Sequence, residues 1–192
     1  MTMIKIFDHY MDKIDRPGVA ELRQHLEQCG YFFAPSSSQY HGAEEGGNLR
    51  HSLMVTELAL QLHKVLCPGI PEESVIICGL FHDLGKADYF NKPQYVPNML
   101  KKGQSGSKPF TTNTERLPIP HQYASLHILG KYIQLTEEEA YAIMFHNGLY
   151  TPDGRVIQGK ETQLLLLIHW ADMWSSRFME GGFKPKPDGV RF

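Results

Sequence analysis

At 192 residues with 42% hydrophobic content, the chain is long enough to enclose one well-buried core, and no break in composition marks a second. A formal net charge of −2 gives no general attraction to a polyanion, which argues against a non-specific nucleic-acid binder and favours small substrates over long nucleic acid. The opening residues Met1–Lys5 lack a signal h-region, the longest aliphatic run (Leu164–Ile168) is far too short for a bilayer, and Cys29, Cys67 and Cys78 read as reduced core thiols, so a cytoplasmic chain away from membranes is expected.

The predicted elements are helical: one all-α domain, with N-terminal helices and a loop over 1–47, a metal-binding helical core over 48–179 and a tail over 180–192. Residues 2–14 and 17–29 suggest two helices of weak pattern. Asn48 can cap a helix running to about Leu66, whose positions His51, Val55, Leu58, Leu62 and Val65 fall on one stripe and set His51 on the core side. The next helix, Pro71 to Leu84, has Glu72 and Glu73 at its positive end, His82 and Asp83 in its last turn, and Gly85 as its stop.

Residues 86–119 form a long connection rich in Pro and Gly, with a short hairpin expected around Phe110 to Arg116. A third core helix is expected from Pro120 to about Gln134. A fourth opens with the capping box Thr136-Glu137-Glu138-Glu139 and ends near Asn147-Gly148. A turn or small hairpin at Tyr150–Gly154 then leads into a central helix over about Lys160 to Met179, and Lys184–Pro187 reads as unstructured.

Within this frame the pair His82-Asp83, ending the apolar stretch Gly79–Phe81, is costly to bury unless each group is paired or bound to a metal. Asp172, on the very apolar helix around Leu167–Trp174, needs a partner too, and His51 and the His82-Asp83 pair supply one. Imidazole and carboxylate donors from three helices suit Mn²⁺, Fe²⁺ or Mg²⁺, with Ni, Co or Zn also compatible, better than a closed thiolate zinc site. His121 and His146, at two further helix ends, are candidates for a second ion, with Asp83 as the natural bridging carboxylate. Taken singly, a histidine on an apolar stripe is ordinarily a hydrogen-bonded core residue; the joint occurrence favours metal.

The order His51, His82-Asp83, Asp172, with the contexts Gly46-Gly47-Asn48-Leu49-Arg50-His51-Ser52 and His82-Asp83-Leu84-Gly85-Lys86, resembles the HD superfamily of metal-dependent phosphohydrolases over about residues 40–177. With His121 and His146 the chain is similar to the two-metal subgroup, and Tyr40-His41 and Phe145-His146-Asn147-Gly148 most resemble its exoribonuclease-like and uncharacterised members. No Gly-Tyr-Pro motif follows the ligands, which argues against cyclic di-GMP hydrolysis, and no oligonucleotide-binding module is present, which argues against processive RNA degradation.

The resemblance implies an HD-domain helical bundle and hydrolysis of a small phosphoester, a nucleotide among them, by a water activated by one or two metals. The alternative it carries is a mixed-valent diiron oxygenase of the same fold. Asp83 would bridge two cations. Lys86 would reach back to the substrate phosphate, or else neutralise the helix terminus. His41 would contact substrate, or else sit in an exposed loop. His169 would orient Asp172, or else simply pack. Arg177, five residues past Asp172, is expected off the ligand face. The long connection, with Tyr89, Phe90, Tyr95, Phe110, Lys92, Lys101, Lys102 and Lys108, would recognise a nucleotide, or else cover the bundle. No sequence feature selects an oligomeric state.

Overall fold

Why the chain packs around residues 79–85 follows from small side chains at two helix contacts. In the computed structural model, which describes residues 2–99 and 105–181, helix α3 (Gly47–Leu66) lies against α4 (Glu72–Phe81), and a Cβ at Gly79 would fall 2.6 Å from Thr56 Oγ1. The absent side chain is what lets the two helices approach. Gly85 is similarly crowded: a Cβ there would meet the backbone of His121 and Ser125 at the start of α5 (His121–Leu129).

The fold is mainly helical. Helices α1 (Met3–Met11) and α2 (Val19–Gln28) precede α3; α6 (Glu137–Phe145) and α7 (Gln163–Trp174) follow α5. A single cluster of buried apolar side chains runs from Phe7 to Ala171, with Tyr31, Phe81, Ile76, Leu80 and Leu129 among its largest members. No helix among the described residues is long and apolar enough to cross a membrane, and Cys29, Cys67 and Cys78 are buried free thiols.

Several boundaries differ from the sequence expectation, each for a local reason. Helix α3 opens behind Gly46 (φ +74°), so Asn48 is not its cap; the Asn48 side chain is buried inside the first turn and donates to the Asp83 carbonyl at 3.2 Å. The face of α3 that is covered is His51, Ser52, Val55, Thr56, Ala59, Leu60 and His63, while Leu58 and Leu62 are half-buried and Val65 is 80% exposed. The apolar stripe was therefore a poor guide, because close contact with α4 selects small residues such as Ser52, Thr56 and Ala59.

Helix α4 stops at Phe81, leaving His82 and Asp83 just beyond it, and Gly85 lies within a 3₁₀ turn, Leu84–Lys86. Helix α5 ends at Leu129 rather than near Gln134, and α7 begins at Gln163, where the Thr162 hydroxyl accepts from Leu165 N–H at 3.2 Å. Residues 148–157 form two 3₁₀ turns rather than a hairpin. The real hairpin pairs β1 (Tyr95–Met99) with β2 (Ser105–Thr112), antiparallel with Pro97 opposite Phe110, so it begins earlier than expected. Lys184–Pro187, expected as unstructured, lie outside the described residues.

Beyond Trp174 the chain widens into a π-turn, Ser175–Met179, closed by Glu180 N–H donating to Ser175 O at 3.0 Å. An i→i−5 bond of this kind shifts every later side chain around the helix axis relative to an α-helical continuation.

One buried ion pair ties the N-terminal segment to the rest. Glu139, fully buried at the positive end of α6, completes the expected capping box with Thr136. It also accepts from Arg16 at 2.6 and 2.7 Å and from Ser74 Oγ at 2.7 Å. Burial pushes its carboxyl up, but Arg16 and Ser74 outweigh burial and hold it below the usual carboxylate range.

Glu139→Ala removes the closer of the two carboxylates paired with Arg16, leaving Glu73 at 3.1 Å, and is expected to lower the unfolding free energy at pH 7 by about 2–3 kcal/mol, measured by urea denaturation. Because the folded-state pKa is depressed, the Glu139 contribution is complete above about pH 4.3 and drains away as the pH falls through the folded value. The gap between variant and wild type must therefore narrow in acid. A variant within about 0.5 kcal/mol of wild type at pH 7 would refute this role.

Candidate metal centre

Five helices deliver donors to one point. His51 comes from the second turn of α3, His82 and Asp83 from the exit of α4, His121 from the first residue of α5, His146 from the residue capping α6, and Asp172 from α7. His51 Nε2 lies 3.3 Å from His82 Nε2, 3.1 Å from Asp172 Oδ1 and 3.7 Å from Asp83 Oδ2. His121 Nε2 and His146 Nε2 are 3.3 Å apart, and they lie 3.1 and 3.7 Å from Asp83 Oδ1. The six residues thus fall into two sets, and each set faces a different oxygen of Asp83.

The loop carrying Asp83 is held from several sides. Ser125 Oγ donates to His82 O (2.9 Å) and accepts from Gly85 N–H (2.8 Å), and Asn48 holds the Asp83 carbonyl. Lys86 Nζ, buried, is 2.5 Å from Asp83 Oδ2 and 3.4 Å from Ser36 Oγ. Arg116 reaches back from the end of the hairpin region to donate to Gly85 O at 2.7 Å.

The ring hydrogen bonds fix which nitrogen faces inward. His82 Nδ1–H donates to Gly79 O at 2.9 Å and His146 Nδ1–H to Ile143 O at 2.8 Å, while His51 Nδ1–H donates to Glu180 Oε2 at 2.7 Å. With those protons assigned, the three Nε2 atoms present lone pairs to one another and to two carboxylates. Asp83 Oδ1 is moreover buried and accepts no hydrogen bond of sound geometry. Converging acceptors without donors call for a cation at their centre, and the mixed imidazole–carboxylate set fits a divalent metal. These buried His and Asp groups could hold a metal ion.

Electrostatics describe the same need. Burial opposes charge on His51, yet its hydrogen bonds to Asp172 and Glu180 prevail and lift its pKa to about 9, so in the metal-free protein a proton fills part of the gap. Burial would raise Asp83, but Lys86, His82 and His121 hold its carboxyl well below the usual range; burial likewise opposes ionisation of Asp172, which His51 overcomes. His146 is pushed down to about 3 by burial and the field of His82, and His121 is also lowered by burial. Both are therefore neutral and ready to ligate. The Lys86 ammonium, disfavoured by burial, is retained by Asp83.

The centre opens into a cleft of about 560 Å³ lined by Tyr40, His41, Lys86, Asn147, Tyr150 and Arg177, among others. His41 lies at this wall with its ring 5.0 Å from that of His51, and burial lowers its pKa to about 4. Arg177, expected off the ligand face, lines the cleft because the π-turn rotates it back, and its guanidinium stands 5.1 Å over the Tyr150 ring. His169 does not orient Asp172; its Nδ1–H donates to His146 O at 2.7 Å and steadies that ligand's backbone.

The aromatics of the long connection do not line this cleft. Tyr89 and Phe90 pack on His127 of α5, with Arg116 over Tyr89 and Lys131 over Phe90. Tyr95 accepts from Gln94, Phe110 meets Ser38 through its backbone, and Lys92 donates to Glu115 O. Lys108 is likewise absent from the lining, and Lys101 and Lys102 lie outside the described residues. Tyr89 and Phe90 thus cover the bundle, whereas Lys92 and Lys108 are exposed.

Sequence reading missed Glu180, whose side chain is fully buried against His51 although the residue was assigned to a tail. No sequence signal placed it there, because the π-turn between it and Asp172 breaks the 3.6-residue periodicity on which such a reading depends. The comparisons add no identification: no family model, curated protein or solved structure matches the chain.

If the six residues bind cations, the metal-free protein takes up about two equivalents of Mn²⁺, counted by elemental analysis after dialysis, and Asp83→Asn loses both together. Metal at 100 times the Kd of each site should raise wild-type stability by about 2.7 kcal/mol per filled site and leave the variant unmoved. Absence of stoichiometric uptake would remove the metal assignment.

Proposed function

We propose that the protein is a metal-dependent phosphoester hydrolase with an HD-type two-metal centre, acting on a small phosphorylated substrate such as a nucleotide. The observation that carries this reading is the division of Asp83: Oδ1 lies nearest His121 and His146, Oδ2 nearest His51, His82 and Lys86. A shared carboxylate between two imidazole sets is the arrangement that the superfamily resemblance implies. Divalent cations held there would polarise phosphoryl oxygens and lower the pKa of a water.

The remaining chemistry belongs to this chain's own groups. Lys86 keeps Asp83 ionised and offers an ammonium, at the cleft wall, to charge that grows on the phosphate. Arg177, held by an aromatic ring and with no carboxylate partner among the described residues, and Asn147 supply donors for the anion. His41 and the exposed rings of Tyr40 and Tyr150 would flank the rest of the substrate. Of the charged groups lining the cleft, Lys86 and Arg177 offset Asp83 and Asp172, so any bound cation makes it net positive, on a chain of net charge −2. Such a site favours an anion.

The test is a panel of nucleotides, cyclic nucleotides and generic phosphodiesters with Mn²⁺, Mg²⁺ or Fe²⁺. Turnover of at least one ester is expected, falling about 1,000-fold or more in Asp83→Asn and about 100-fold in Lys86→Met. Aerobically purified protein that holds iron with a mixed-valent signal, and hydrolyses none of these esters, would overturn the hydrolase reading.

A further inference from the structure

The two ligand sets are not equivalent in their surroundings. His82 and His146 turn their second ring nitrogen to a backbone carbonyl, whereas His51 turns its Nδ1 to a carboxylate, Glu180, at 2.7 Å. The Glu180 side chain is fully buried, and its other oxygen lies 3.4 Å from Arg50 Nη2, which also pairs with Glu44 at 2.7 Å. Among the described residues, no carboxylate other than Asp83 pairs with His121 or His146.

The approach of Glu180 to His51 depends on the π-turn. Its N–H closes the i→i−5 bond to Ser175 O, and an α-helical continuation of α7 would wind the chain tighter and carry the side chain around the axis. A π-turn is rare, and it adjoins the helix that carries Asp172.

Resting on the metal reading above, we propose that Glu180 is a positioning residue that makes the His51–His82–Asp172 site the tighter of an unequal pair of cation sites. Its carboxylate fixes the His51 ring with Nε2 inward and adds negative charge behind the ligand. The first site then lies among Asp172, Asp83 and Glu180. The second has only the shared Asp83; the cations nearby, Lys86 on the Asp83 oxygen that faces the first site and Arg50 at 3.4 Å from Glu180, leave the first site three carboxylates to the second's one. The first site fills first, and the second exchanges more readily.

Calorimetric titration of the metal-free protein with Mn²⁺ tests this without any substrate. Two steps of distinct affinity are expected in the wild type, and Glu180→Gln should weaken the tighter step about 10–100-fold while leaving the weaker one in place. Circular dichroism and a melt of the metal-free variants check that each is folded. Glu180→Asp keeps the charge with a shorter reach and should recover part of the loss; a side chain needed only for packing would show the reverse order, since Gln is the closer match in shape. Equal steps in the wild type, a Glu180→Gln titration identical to wild type, or an equal loss at both steps would overturn the proposal. A wild type that binds no Mn²⁺ would overturn it together with the metal reading, and so separates the two failures.

Discussion

Asp83 is a carboxylate held almost entirely out of water, and the fold is arranged around the cost of keeping it ionised. An isolated buried carboxylate would take up a proton. Here Lys86 sits on one oxygen while histidines from four helices crowd both. The backbone beside it is just as constrained. Asn48 binds its carbonyl, and Ser125 bridges His82 O to Gly85 N–H. Gly79 and Gly85 leave no room for a side chain where α3 and α5 press in. The same contacts that pack the core therefore set the donor positions, so precision at the site comes from helices and not from loops.

How much of this was legible depends on the range of the interaction involved. The adjacent pair His82-Asp83 and the acid Asp172 stood out because each is an expensive residue in an apolar stretch. The Thr136–Glu139 capping box was readable because both partners lie within one turn. Glu139's second role, as the buried partner of Arg16, was not, since the two are 123 residues apart. The buried face of α3 was misread because an apolar stripe predicts burial against apolar neighbours, whereas contact through Gly79 favours Ser52 and Thr56. Arg177 and Glu180 were misplaced for one shared reason: periodicity arguments assume 3.6 residues per turn, and the π-turn adds a residue that no local propensity announces.

That single departure also redistributes the cleft. The long connection after Lys86 was the natural place to look for recognition, as it carries rings and lysines directly after the metal pair. Its rings Tyr89 and Phe90 are instead packed against α5, Arg116 and Lys131, while Tyr95 stays within electrostatic reach of Lys86. The cleft walls come from Tyr40-His41, from Asn147 and Tyr150, and from the end of α7. Each of these segments adjoins a ligand, as Asn147 does His146 and Met173 does Asp172, or, like His41, packs on one. Altering a wall residue there shifts a ligand backbone as well, as His169 illustrates by touching both the cleft and the carbonyl of His146.

The hydrogen-bonding state of the rings limits what the centre can do without a cation. With Nδ1–H of His51, His82 and His146 committed outward, their Nε2 atoms offer only lone pairs. A proton relieves this in part at His51, which its hydrogen bonds to Asp172 and Glu180 lift, whereas His146 is depressed first by burial and then by the field of His82. Asp83 Oδ1 lies on the far side, 3.1 Å from His121 Nε2 and 3.7 Å from His146 Nε2, and a neutral His121 can turn an Nε2–H toward it. Two groups of these donors, His51–His82–Asp172 and His82–Asp83–His146, could each hold a metal ion.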